Sequence, residues 1–155
     1  MTQQLADTST PVRTRPAAGR GRMLSLIAVG VAAAVVGNLM ISVIARAAGA
    51  SSSFTPLHPA TFIPLTVFGL IAGAVGWSVI RARATRPGSV LRKTVPAVVV
   101  VSFVPDIAVL ASGQMTGVSA GAVFALMCMH LMVAAAAIPA YARALPVHDR
   151  SPAAR

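Results

Sequence analysis

LSLIAVGVAAAVVGNLMISVIA, Leu24–Ala45, is the stretch whose reading decides the fold. It carries no charged residue, and at ~1.5 Å rise per residue a helix over it covers the ~30 Å hydrocarbon core of a bilayer. Arg46 ends it. The pattern recurs three times downstream. Thr61–Ile80 stops at the basic turn Arg81-Ala82-Arg83-Ala84-Thr85-Arg86-Pro87-Gly88. Val95–Ser112 stops at the uncharged turn Gly113 to Gly117, and Val118–Ala142 stops at Arg143. A basic flank precedes the first run, and Ala45-Arg46-Ala47 resembles a small-residue cleavage site. The run is longer than the ~7–15 residues of a signal-peptide core, so it reads as a retained span.

Composition agrees with this reading. Of the 155 residues, 56% are hydrophobic and 10% are charged, against about 25% charged in soluble domains. The mean hydropathy is +0.79. A soluble globular fold is excluded on these grounds. The expected architecture is all-α: an integral membrane four-helix bundle, antiparallel and up-down, with spans at 24–45, 61–80, 95–112 and 118–142 inside a membrane domain of residues 23–143. Residues 1–22 form a basic tail without apolar periodicity, expected to be disordered. Residues 144–155 form a polar tail. The Ser/Gly/Pro loop at 47–60 has strong turn chemistry and a backbone that needs water.

Thirteen Lys and Arg face three acids, all aspartates: Asp7, Asp106 and Asp149. The bases flank the apolar runs, so they report orientation. Four lie before the first span, one after it, five after the second, none after the third and three after the fourth. Placing both termini in the cytoplasm puts 12 bases inside and one outside, which is the arrangement the positive-inside rule selects. Trp77 and Tyr141 then fall near the cytoplasmic interface, where amphipathic rings are favoured. With 5 Phe, 1 Tyr and 1 Trp there is no basic-aromatic interleaving, and nucleic acid is not an expected partner.

Lipid is as apolar as Leu, so spans associate where small residues let backbones approach. The second span offers Gly69, Gly73 and Gly76 as a glycine stripe. The first offers Gly30-x-x-x-Ala34 and Ala33-x-x-x-Gly37, and the fourth Gly117-x-x-x-Gly121 and Ala134 to Ala137. Internal packing is the expected use of these stripes, with homo-oligomerisation through the second span as the other.

Three intramembrane polar groups could carry chemistry. Asp106 is the one acid inside an apolar run. A carboxylate there is costly and faces the bundle interior or water. Pro105 removes a backbone donor and frees the carbonyl of Val101, and Ser102 lies four residues earlier on the same helical face. His130 is the second group. Asp106 lies about 17 Å from the cytoplasmic end of its span and His130 about 15–18 Å from that of the next. The two spans are joined by a short turn, so the groups can meet at similar depth and lower each other's cost. Asn38, in the first span, reads as an interhelical hydrogen-bonding group.

Met127, Cys128, Met129 and Met132 beside His130 are soft ligands suited to Cu(I). Consecutive residues point to different faces, however, and Met is a common gap-filler, so no metal is expected. Bis-histidine haem fails because His58 lies in a loop and His148 in the tail. The single cysteine excludes an intramolecular disulfide and a Cys-based zinc site. There is no phosphate-binding glycine loop, no H-E-x-x-H and no nucleophile elbow. The four-span size matches small multidrug exporters, but their essential first-span glutamate has no counterpart in a chain without glutamate.

The chain resembles the small four-helix integral membrane proteins of unknown function common in actinobacteria. The resemblance rests on Gly37-Asn38-Leu39, Ala45-Arg46-Ala47-Ala48-Gly49, Gly76-Trp77 before an Arg cluster, Ser102-Phe103-Val104-Pro105-Asp106 and Met127-Cys128-Met129-His130, spread over residues 24–143. It implies the fold and topology and supplies no activity. The function expected is that of a non-enzymatic plasma-membrane protein without cofactor, an accessory or partner-binding chain whose partners are the bilayer and another membrane protein or a second copy. The alternative is a proton-linked transporter or sensor using Asp106 and His130. A transporter needs water at Asp106; a structural acid is dry and paired.

Overall fold

A computed structural model describes residues 18–147. It is all-α: α1 (Ala18–Ala47), a 3-10 turn (Thr55–Leu57), α2 (Pro59–Arg83), α3 (Pro87–Ser102), α4 (Val104–Ser112) and α5 (Ala120–Ala144). Four helical stretches are long and apolar enough to cross a membrane: Gly19–Ala47, Pro59–Arg83, Pro87–Ser112 and Ala120–Ala144. The chain is therefore a multi-pass membrane protein.

The helices overrun the apolar runs. α1 begins at Ala18, so residues 18–22 are helical rather than irregular. Extending an existing helix costs little once it is nucleated, and Arg is a good helix former. The rest of the expected disordered tail, residues 1–17, lies outside the described residues. Pro59 opens α2 and Pro87 opens α3 at the position where a missing N–H costs nothing. The third span thus starts eight residues before Val95, and Arg92 and Lys93 stand on α3, not in a loop. The expected polar tail also begins later, because Leu145 is buried.

The third span breaks at Phe103. Pro105 cannot donate to the Val101 carbonyl, so the turn tightens. Phe103 N–H reaches back to Val100 O at 3.1 Å, and α4 resumes with Ile107 N–H on Phe103 O at 3.0 Å. Ser119 caps α5, its hydroxyl accepting from Ala122 N–H at 3.2 Å.

α5 is central and packs along α1. A Cβ on Gly30 would stand 2.8 Å from Ala140 Cβ, and one on Gly37 would stand 2.6 Å from Met132 Cγ. At Gly30 the neighbour is a rigid Cβ, so glycine is needed there; at Gly37 it is the flexible Met132 side chain. One core joins Ala34, Leu70, Trp77, Leu91, Ala137 and Tyr141. The other joins Phe54, Leu57, Phe62, Ala125, Leu126 and Met129. Phe54 and Leu57 of the 47–60 loop are fully buried. The hydroxyl of Ser42 (2.8 Å) and the guanidinium of Arg46 (3.2 Å) both donate to Leu57 O, drawing the loop onto the helix ends. Gly117, at φ +74°, lets the α4–α5 turn pass against Ser51 and Ser53 of that loop. The third span is the most exposed of the four, presenting Val98, Val100, Val101 and Val104 outward.

Candidate functional site

Asp106 and His130 come together. Asp106 lies in the first turn of α4, where the positive end of the helix dipole favours an anion. The break at Phe103 creates that helix start in mid-span, so Pro105 supplies the acid with a local electrostatic partner. Asp106 is 7% exposed, and its Oδ2 lies 3.2 Å from His130 Nδ1. The same nitrogen lies 2.9 Å from Leu126 O, one turn back on α5. Nδ1 thus stands between two acceptors. Its alignment favours the carbonyl, and Oδ2 is at ion-pair distance without a hydrogen bond of its own. The ring of Phe103 meets the imidazole edge to face, with centroids 6.2 Å apart. Carboxyl, imidazole and phenyl ring together tie the mid-span break to α5.

Ser102 does not join them. Its hydroxyl donates to Val99 O at 2.7 Å, because the break ends α3 at Ser102 and interrupts the face it was expected to share with Asp106. Asn38 belongs to a different contact. Its Nδ2 donates to Thr66 Oγ1 of α2 at 3.0 Å, and its Oδ1 is buried without a partner. Thr66 is a partner that the sequence reading passed over. Its signal was a hydroxyl in an otherwise apolar run, which is common in membrane helices.

The glycine stripe divides. Gly73 meets the Tyr141 hydroxyl at 3.0 Å from its would-be Cβ, whereas Gly69 and Gly76 face open space. Within one chain only Gly73 of the three has another helix against its Cβ position. The close helix packing falls instead to Gly30 and Gly37 of α1.

Gly69, Gly73 and Gly76 form one wall of a cleft of about 500 Å³ between α2, α3 and α5. Its lining is apolar apart from a few groups, among them Thr94, Ser102 and the half-exposed His130. Trp77 and Tyr141 also line it, and both are buried between helices. Their rings pack edge to face at 5.7 Å. Trp77 Nε1 donates to Leu145 O at 3.1 Å, and the Tyr141 hydroxyl donates to Leu70 O. Both aromatics fasten the end of α5 to α2.

Among the described residues no three His, Cys, Asp or Glu side chains cluster as a metal site. His58 Nε2 lies 2.7 Å from Ser52 O within its own loop. His148 lies outside the described residues.

The chain belongs to the family of unknown function DUF6069, whose model matches residues 17–147. No curated protein and no solved structure matches it.

Proposed function

We propose that this member of an uncharacterised family is a non-enzymatic protein of the plasma membrane, an accessory or partner-binding chain. Its four spans alternate in direction, and both termini are cytoplasmic. In this reading the Asp106–His130 pair is a fastening between the third span and α5, not a proton path. The observation that carries the reading is the state of the acid. Asp106 is 7% exposed, its Oδ2 is sealed, and its neighbour at 3.2 Å is an imidazole that also engages Leu126 O. A relay needs water on both sides of the titrating group, and removing water from an unpaired carboxylate is costly. The Ser102 hydroxyl donates to Val99 O rather than to the pair.

The half-exposed face of His130 on the apolar cleft is the feature that favours the alternative of a proton-linked transporter or sensor. Proteoliposomes carrying an internal pH dye decide between the two. The full chain is expected to pass protons no faster than empty liposomes under an imposed potential, and Asp106→Asn is expected to leave that rate unchanged. A flux well above that baseline, abolished by Asp106→Asn, would overturn the structural reading.

A further inference from the structure

The cleft has a definite depth and a charged end. Its lining runs from Gly69 to Ile80 on α2, from Leu91 to Ser102 on α3 and from His130 to Tyr141 on α5. Each stretch spans about 16 Å at ~1.5 Å per residue. That is about half of the ~30 Å hydrocarbon thickness, or one leaflet. A docked transmembrane helix would need a groove through both leaflets. A lipid acyl chain needs a groove through one.

The end marked by Ile80 and Leu91 is the end where α2 stops and α3 starts. Arg81, Arg83, Arg86, Arg92 and Lys93 gather there, all exposed. Arg81 reaches Pro146 O at 3.5 Å. Asp106 is the only acid among the described residues, and it lies at the other end of α3 beyond Ser102. The basic group therefore has no carboxylate partner among the described residues. At the deep end, His130 and Ser102 close the lining. Along its side the cleft opens past Val98 and Ile138, both exposed, so a chain can enter laterally from the bilayer.

We propose that this cleft holds one acyl chain of an anionic phospholipid whose phosphate headgroup sits on the Arg81–Lys93 basic cluster. Basic pockets between spans are suited to anionic headgroups. The groove adds what a surface patch lacks, a slot for the chain that reaches as deep as one leaflet. The inference stands apart from the role given to Asp106, because it is the basic end and the depth of the groove that carry it.

The chain supplies its own reporter. Trp77 is the only tryptophan and lines the cleft, so a brominated acyl chain quenches its fluorescence on entering. The full chain is reconstituted in phosphatidylcholine vesicles into which brominated phosphatidylglycerol or brominated phosphatidylcholine is titrated. Brominated phosphatidylglycerol is expected to reach half-maximal quenching at a mole fraction at least fivefold lower, about the effect of a single surface base. Arg92→Gln with Lys93→Gln, both exposed, is expected to narrow the gap between the two curves at least fivefold. Gly76→Leu, whose Cβ enters open space, is expected to fill the slot and weaken quenching by both lipids. Identical curves for the two lipids in the unaltered chain would overturn the proposal. So would undiminished quenching in Gly76→Leu. Loss of the phosphatidylglycerol preference on adding inorganic phosphate, but not on adding sodium chloride to the same ionic strength, would assign the basic cluster to a free anion and overturn the lipid assignment.

Discussion

Gly30→Ala tests the α1–α5 interface by adding one methyl group. Its Cβ would stand 2.8 Å from the Cβ of Ala140, whereas carbon atoms rest at ~3.5–4.0 Å. Ala140 has no rotamer with which to move aside, so α1 must retreat from α5 by on the order of 1 Å. A gap of ~0.5–1 Å already forfeits a quarter to a half of each dispersion contact it opens. In a bilayer that packing is the main attraction between spans. Overpacking costs ~1–3 kcal/mol. Replacing glycine by alanine in a helix returns up to ~1 kcal/mol of backbone propensity. The net expectation is a loss of about 1–2 kcal/mol, read as a shift of the unfolding midpoint in mixed detergent micelles titrated with a denaturing detergent. Ala140→Gly on top of Gly30→Ala is expected to restore most of it by returning the missing space. Gly37→Ala is the internal comparison. Its clash is with the Cγ, Sδ and Cε of Met132, a side chain with three rotatable bonds that can swing away, so its loss is expected to be the smaller. The reasoning is refuted if Gly30→Ala is neutral or stabilising, or if Ala140→Gly fails to rescue it.

Two further outcomes are expected. Asp106→Asn and His130→Ala should each destabilise the chain in detergent, and the double variant should lose less than their sum. Intramembrane couplings average ~0.6 kcal/mol and reach ~1.7, and strict additivity would mean that the 3.2 Å approach contributes nothing. For topology, single cysteines at exposed positions such as Ser52 or Ser53, in a background with Cys128→Ala, should react with an impermeant reagent on intact cells. Cysteines at Thr85 or Ser89 should react only after the membrane is opened, and the opposite pattern would invert the orientation.

Some features could be read along the chain and others could not. The four spans were legible because length and hydropathy are local, and a bilayer converts them directly into helices. Depth was legible for the same reason: a constant rise per residue brought Asp106 and His130 level by counting alone. Rotation about each helix axis was not. A glycine stripe looks the same whether it faces a neighbour or a cleft, so Gly69 and Gly76 read as packing residues although their Cβ positions are open. Thr66 opposite Asn38 and the Leu70 carbonyl opposite Tyr141 are likewise choices of rotation and register, set by tertiary packing. The loop at 47–60 was legible only in its turn residues. They describe how its backbone bends and are silent on where Phe54 and Leu57 go once Ser42 and Arg46 hold the Leu57 carbonyl. The early start of α3 was hidden because Arg92 and Lys93 looked like loop charges, while Pro87 at the first helical position argued for a helix.

The central place of α5 has a bearing on biogenesis. Ribosomes deliver α1 first and α5 last, yet these are the two helices that lie against each other through Gly30 and Gly37. While the intervening spans are being made, α1 waits in the membrane with its glycine face uncovered and Asn38 able to reach only the newly arrived Thr66 of α2. Asp106 enters before its imidazole exists. Assembly therefore includes an interval in which Asp106 lacks its imidazole and Gly30 and Gly37 lack the side chains they meet in the finished fold. That interval ends only when the last span is threaded in between its predecessors.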